Sequence, residues 1–154
     1  MSEGIGARVL RKEDKRFITG KGRYTEDIVE ANQAYAAFVR SPHAHARIIA
    51  IDTSAAMAIE GVETVLMGPE LVGDGIGNII CGWGVASKDG SAMNMGAWSA
   101  LATDKVRYVG DAIAIVVADS KSIAKLAAEA VVVTYEELPV VVGSVQALAK
   151  GAPQ

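Results

Sequence analysis

A single cysteine, Cys81, stands in 154 residues. It has no partner for an internal disulfide, and four thiolates for an iron–sulfur cluster or a cysteine zinc site are absent. Histidine is almost as scarce, with only His43 and His45. Two apart in an extended stretch, they share a face. No thiol or third imidazole completes a metal site, so they read as hydrogen-bonded turn or interface residues. Aromatic residues make up 5% of the chain, which leaves an aliphatic core of Val, Ile, Ala and Leu. No apolar run reaches the length of about 18 residues that a membrane span needs. Met1-Ser2-Glu3-Gly4 opens without the apolar stretch of a signal peptide. A soluble, cytoplasmic protein that contacts no membrane is the expectation.

Charge excludes a further class. Charged residues are 21% of the chain and the net charge is −3, which gives no basis for whole-chain nucleic-acid binding. The basic residues are unevenly spread: Arg8, Arg11, Lys12, Lys15, Arg16, Lys21 and Arg23 face only Glu3, Glu13 and Asp14. Without interleaved aromatics this reads as a solvated or partner-covered extended arm over residues 1–24. The folded domain is then expected over 25–150, after a turn at Gly20-Lys21-Gly22.

What is present is a series of short β-branched runs. The chain is organised around Leu101 to Tyr135. Ala112 to Ala118 is too short and too uniformly apolar for an amphipathic helix, and reads as a strand covered on both faces. Asp119-Ser120 offers an N-cap, and Ile123, Leu126, Ala127 and Ala130 recur at helical spacing. Val131 to Tyr135 is a second strand, completing a βαβ-like passage. An earlier passage has the same order. Ala34 to Arg40 and Arg47 to Ile51 read as strands joined by a hairpin or tight crossover at Ser41-Pro42. A helix follows Asp52-Thr53-Ser54 and ends at Gly61, and Glu63 to Met67 is the next strand. The two passages raise the idea of a weak internal pseudo-repeat. Ser144 is placed to cap a last helical turn over Val145 to Lys150.

Residues 68–100 differ in kind. The stretch is glycine-rich and aperiodic, and it holds both tryptophans, Trp83 and Trp98. A connection this long points to a functional or partner-contacting excursion. Gly73-Asp74-Gly75-Ile76-Gly77 lacks the spacing and the following helix of a dinucleotide-binding loop. Trp83 and Trp98 are expected in a contact surface or against the core. Alone, the chain either leaves this segment exposed or orders it by self-association.

Candidate chemistry is thin. Asp111, Glu136 and Glu137 are carboxylates without an accompanying base or nucleophile pattern. No catalytic, cofactor-binding or metal-ligating residue is therefore assigned. Two rival classes remain: a small-molecule-binding domain with a closed pocket lined by Trp83 and Trp98, and a lipoyl-like carrier domain with Lys105 of Thr103-Asp104-Lys105-Val106 at a hairpin tip.

Five stretches in order resemble one family, the α/β-hammerhead domain that opens the large subunit of molybdenum hydroxylases such as xanthine dehydrogenase, aldehyde oxidase and aerobic carbon monoxide dehydrogenase. They are Arg16-Phe17 with Gly20, Gly22, Tyr24 and Asp27-Ile28; Phe38 to Ile48; Ile51 to Ala56 with Gly61-Val62; Leu101-Ala102 through Tyr108-Val109-Gly110-Asp111 to Ala118; and Val133 to Pro139. The resemblance implies an α+β fold, a mixed β-sheet with two main helices and a β-hammerhead. It also implies that the molybdenum–pterin cofactor and the general-base glutamate lie on C-terminal molybdopterin-binding domains, while iron–sulfur clusters and FAD belong to other domains or subunits. The chain is then a structural and assembly module of an oxidoreductase, inactive alone, with those domains and subunits as partners.

Overall fold

The structure is a computed structural model, and it describes residues 4–93 and 95–153. The chain divides into two compact units, Met1–Gln33 and Ala34–Gln154.

The first unit is held locally. A five-residue helix, α1 (Asp14–Ile18), interrupts the arm that the sequence predicts as extended, and a 3₁₀ turn covers Thr25–Asp27. The Phe17 ring stacks on Tyr24 at 5.2 Å between centroids, with the Arg16 guanidinium 5.2 Å from the Phe17 centroid. Gly22 makes this stack possible, because a side chain there would overlap the Phe17 ring. The Asp27 carboxylate accepts the Tyr24 N–H at 2.8 Å. The opening motif thus serves a local knot. None of the described residues of this unit is buried.

In the second unit the β-branched runs form six strands: β1 (Tyr35–Arg40), β2 (Ala46–Asp52), β3 (Val62–Met67), β4 (Lys105–Val106), β5 (Ala112–Ala118) and β6 (Val132–Glu137). They make two three-stranded sheets, ordered β1-β5-β3 and β4-β2-β6, and every pairing is antiparallel. The fold class is α+β, with two antiparallel sheets where one mixed sheet is expected. β1 and β2 are not a hairpin; the Ser41–His45 connection carries the chain from the first sheet to the second. Nor do β5 and β6 pair, for they too lie in different sheets. Sequence order alone does not decide sheet membership, because long-range pairing overrides it.

The topology repeats. The passage β2–α2–β3 runs from the second sheet to the first, and β5–α4–β6 runs back, with α2 (Ser54–Met57) and α4 (Lys121–Ala130) as the connecting helices. Exchanging β1, β2 and β3 for β4, β5 and β6 reproduces both strand orders. The expected pseudo-repeat therefore exists as topology, and every strand pair joins one repeat to the other.

Only α4 is substantial. The Ser120 hydroxyl caps it by accepting the Ile123 N–H at 3.2 Å. Its packed residues are Ala124 and Ala127, whereas Leu126, expected inward, is 57% exposed. Small residues let α4 lie close on the sheet, with Val39, Val65, Ala114, Val116 and Ala56 completing this core. The second expected helix is the single turn α2, followed by Gly61 at φ +86°. The Asp52 carboxylate accepts the Ser54 N–H at 2.9 Å, and this hydroxyl-bearing turn holds the carboxyl below its usual value. The last helix, α5 (Ser144–Ala147), begins a residue early and stops short of Lys150.

A second core joins Ile113 to Ala46, Ala102 and Val106, and Val133 packs against both cores. β5 thus serves both. Burial on both faces holds at Ile113, Ala114 and Val116, but Ile115 and Val117 are only half-buried. Gly68, at the head of α3 (Gly68–Gly73), is buried where any Cβ would overlap the Ala102 carbonyl.

These placements separate two neighbouring substitutions. Val116→Asp puts an unpaired carboxylate in the first core at a cost of several kcal/mol, a large part of a total stability of about 5–15 kcal/mol. Ile115→Asp, at a less deeply buried position, is expected to cost less, about 1–3 kcal/mol. Urea unfolding followed by circular dichroism checks the order, which equal losses in the two variants would contradict.

Candidate functional site

Three of the sequence motifs converge where the two sheets meet. β1 ends in Arg40-Ser41, and the turn before β5 is Arg107-Tyr108-Val109-Gly110-Asp111. The Ser41 N–H donates to the Asp111 carbonyl at 2.9 Å, and the Gly110 N–H donates to the Ser41 carbonyl at 2.8 Å. Arg40 Nη1 donates to the Gly110 carbonyl at 2.9 Å. Gly110 adopts φ +92°, which a non-glycine residue rarely takes. Within the turn, the Asp111 carboxylate accepts the Arg107 N–H at 3.0 Å.

Ser41 is the buried polar residue at the centre, 3% exposed. Its hydroxyl donates to the His43 carbonyl and accepts the His43 N–H, both at 3.0 Å. The His43 ring lies 4.6 Å from the Tyr135 ring, and its Nδ1 is 3.6 Å from Glu137 Oε1. Beside it, His45 Nδ1 is 2.7 Å from the Pro139 carbonyl oxygen, and the Leu138 N–H donates to the His45 carbonyl at 3.0 Å. Arg47 Nε meets Glu136 Oε2 at 3.1 Å across β2 and β6. That pair is exposed and contributes about 0–1 kcal/mol.

Serine, histidine and glutamate thus come together, but not as a nucleophile and its base. The Ser41 hydroxyl bonds to the backbone of His43 rather than to its imidazole, and it is closed off from solvent. An activated nucleophile needs the opposite arrangement on both counts. Ser41 and Arg40 carry this junction, and neither figures among the candidates read from the sequence. The Ser-Pro step, which ends a strand with a hydroxyl placed to cap the following turn, is the signal that marks Ser41.

Electrostatics fit a structural junction. Burial pushes the Tyr135 phenol above its usual pKa, offset in part by the Ser41 hydroxyl. The Tyr108 phenol is raised as well, by burial first and then by the adjacent Asp111 carboxylate.

The other sequence candidates lie apart. Lys105 starts β4 opposite Arg47 and is half-buried, so it does not sit at a hairpin tip as a carrier lysine would. Cys81 is exposed in the 68–100 excursion. Trp98 contacts Tyr108 at 5.8 Å and lines a cleft of about 720 Å³ with Ile79, Ile80, Met93 and Met95. Trp83 is 79% exposed and does not line that cleft, all of whose described lining residues are exposed. The closed pocket between two tryptophans is therefore not formed. After α3 the excursion is irregular, and all described residues from 72 to 98 are exposed.

Among the described residues, no three His, Cys, Asp or Glu side chains stand close enough to hold a metal, and no buried polar side-chain atom lacks a partner. No described helix is long and apolar enough to cross a membrane.

An α+β fold of two three-stranded antiparallel sheets, with its motif residues bonded at strand ends and turns, is the class the geometry defines. Residues 19–139 match the family described as aldehyde oxidase and xanthine dehydrogenase, a/b hammerhead domain, and the chain belongs to it. It is 40% identical over 137 residues to the nicotine 6-hydroxylase large subunit of Paenarthrobacter nicotinovorans, spanning 89% of this chain and 16% of that one. To the carbon monoxide dehydrogenase large chain of Hydrogenophaga pseudoflava it is 39% identical over 151 residues, covering 97% of this chain and 17% of the relative. The crystal structure of quinoline 2-oxidoreductase from Pseudomonas putida 86 superposes with a TM-score of 0.79 at 40% identity, over 91% of this chain and 17% of that one. The chain thus spans about a sixth of these relatives, and the domain belongs to large subunits of molybdenum hydroxylases.

The raised Tyr135 and Tyr108 values set an alkaline prediction. A phenol whose folded pKa lies above its unfolded value of 10.0 contributes stability that is intact below pH 10 and is lost as pH rises through the folded pKa. Thermal melting is expected to fall from pH 10 upwards, and less steeply in Tyr135→Phe. Identical pH profiles for the two proteins would contradict this.

Proposed function

We propose that this chain is a structural and assembly module of the molybdopterin-containing large subunit of a molybdenum hydroxylase, and that it contributes no catalytic, cofactor-binding or metal-ligating residue. One observation carries the reading. The chemistry-bearing side chains of its motifs, Arg40, Ser41, His43, His45, Arg47 and Asp111, are engaged with neighbouring strand ends and turns of the same fold.

The partners are then the C-terminal molybdopterin-binding domains and the iron–sulfur and flavin subunits of the same enzyme. That whole enzyme would hold molybdenum–pterin, iron–sulfur clusters and FAD, work in the cytoplasm, and oxidise carbon monoxide, an aldehyde or an N-heterocycle. The relatives' names span these substrate types, and nothing in this chain selects among them.

Metal analysis and dye-reduction assays with carbon monoxide, benzaldehyde and quinoline test the reading on the purified chain. Neither molybdenum nor turnover is expected. Stoichiometric molybdenum retained by this chain alone, or oxidation of any of the three, would overturn it.

A further inference from the structure

The excursion divides the Ala34–Gln154 unit into two halves: β1, β2 and β3 precede it, and β4, β5 and β6 follow it. Among the described residues, each strand pairing, β1–β5, β3–β5, β2–β4 and β2–β6, joins a strand before the excursion to one after it. The two cores are shared in the same way. Val39, Ala56 and Val65 meet Ala114, Val116 and Ala127 in one, and Ala46 meets Ala102, Val106 and Ile113 in the other. Bonds outside the ladders follow suit: the Ile48 N–H donates to the Asp104 carbonyl, and the Asp119 N–H to the Gly61 carbonyl, both at 2.9 Å. In each sheet two strands of one half flank a single strand of the other. A half by itself therefore keeps neither a ladder nor a closed core.

The covalent link between the halves holds little in place. Its described residues from 72 to 98 are exposed, and it is tied to itself by the Ile79 N–H donating to the Trp98 carbonyl and the Ser87 N–H to the Ser91 carbonyl. The fold fixes the ends of the link without its help. Gly68 abuts the Ala102 carbonyl so closely that a Cβ would overlap it, and the Glu70 carboxylate accepts the Met67 N–H at 2.8 Å. What the link supplies is proximity, an effective concentration on the order of 1 mM. For protein at about 10 μM, cutting the link forfeits a factor of roughly one hundred. Small domains have folded-to-unfolded ratios of about 10³–10⁸, so the assembled form still dominates after that loss.

We infer that residues 34–73 and 99–154 are complementary partners that recognise one another without the link, each folding only on the other. The surface each half offers is its unpaired strand edges with the small apolar residues beside them. Its occupant is the complementary half, joined to it or supplied by a second copy, so two separate polypeptides can make up this fold. The inference goes beyond the assembly-module reading and stands or falls apart from it.

The probe is the full chain carrying the recognition sequence of a site-specific protease between Lys88 and Asp89. After cleavage, the two pieces are expected to co-elute as a one-to-one complex with the circular dichroism of the uncut protein. The melting temperature of that complex falls on dilution, whereas that of the uncut chain does not. Separated in urea and returned to buffer, each piece alone is expected to give the spectrum of an unfolded chain, and an equimolar mixture to regain the native one. Gly68→Leu, set against the Ala102 backbone, is expected to weaken recombination roughly tenfold or more. Replacing Ile80 and Trp83 together by Ser, both in the exposed link, is expected to leave recombination unchanged. Pieces that part after cleavage, a piece that keeps its strand signal alone, or a mixture whose spectrum is only the sum of its parts overturns the inference. Recombination that ignores Gly68→Leu, or that is lost in the Ile80→Ser, Trp83→Ser protein, assigns the association to the excursion and overturns it as well.

Discussion

Everything in the Ala34–Gln154 unit depends on one seven-residue strand being needed twice. β5 is paired on both edges, to β1 and to β3, and its side chains enter two cores: Ala114 and Val116 the one beneath α4, Ile113 the one shared with β2 and β4. A strand so placed tolerates no polar residue in its first half, and Ala112 to Ala118 has none. The intertwined repeat follows from the same constraint. Because each half contributes strands to both sheets, neither half forms a sheet on its own, and the sheets close only when both are present.

That constraint explains why the local elements were legible in the sequence while their arrangement was not. The apolar runs mark β1, β2, β3, β5 and β6 to within a residue or two, and Ser120 caps α4 as its chemistry requires, whereas α2 ends at Met57, short of Gly61. Local chemistry does not state which strands pair. The runs before and after Ser41-Pro42 satisfy a hairpin as well as a crossing, and the pairing of β1 with β5 and of β2 with β4 and β6 makes it a crossing. Leu126 misled for a related reason. Helical spacing places it beside Ala127, but the close approach of α4 to the sheet admits only alanine-sized side chains. Ile115 and Val117 read as core residues by type, yet they are less deeply buried than Ile113, Ala114 and Val116.

The motif residues teach the same lesson about chemistry. Ser41, His43 and Glu137 have the identities of a catalytic triad, yet Ser41 caps the His43 backbone, the His43 ring rests on Tyr135, and Glu137 Oε1 stands 3.6 Å from His43 Nδ1 with no bond to Ser41. The chain's strand ends and turns are bonded within the fold, while the described residues of the 72–98 excursion are tied at base and tip and show their apolar side chains to solvent. Alone, such a segment bears its own ordering entropy, about 1–2 kcal/mol per residue of backbone.

Hydrogen–deuterium exchange on the isolated chain tests this division most directly. The account predicts that amides of β5 and of the Ser41–Gly110 junction exchange slowly. Amides of residues 76–98 should exchange within seconds. Residues 76–98 protected as well as β5, or β5 exchanging as fast as the excursion, would contradict it.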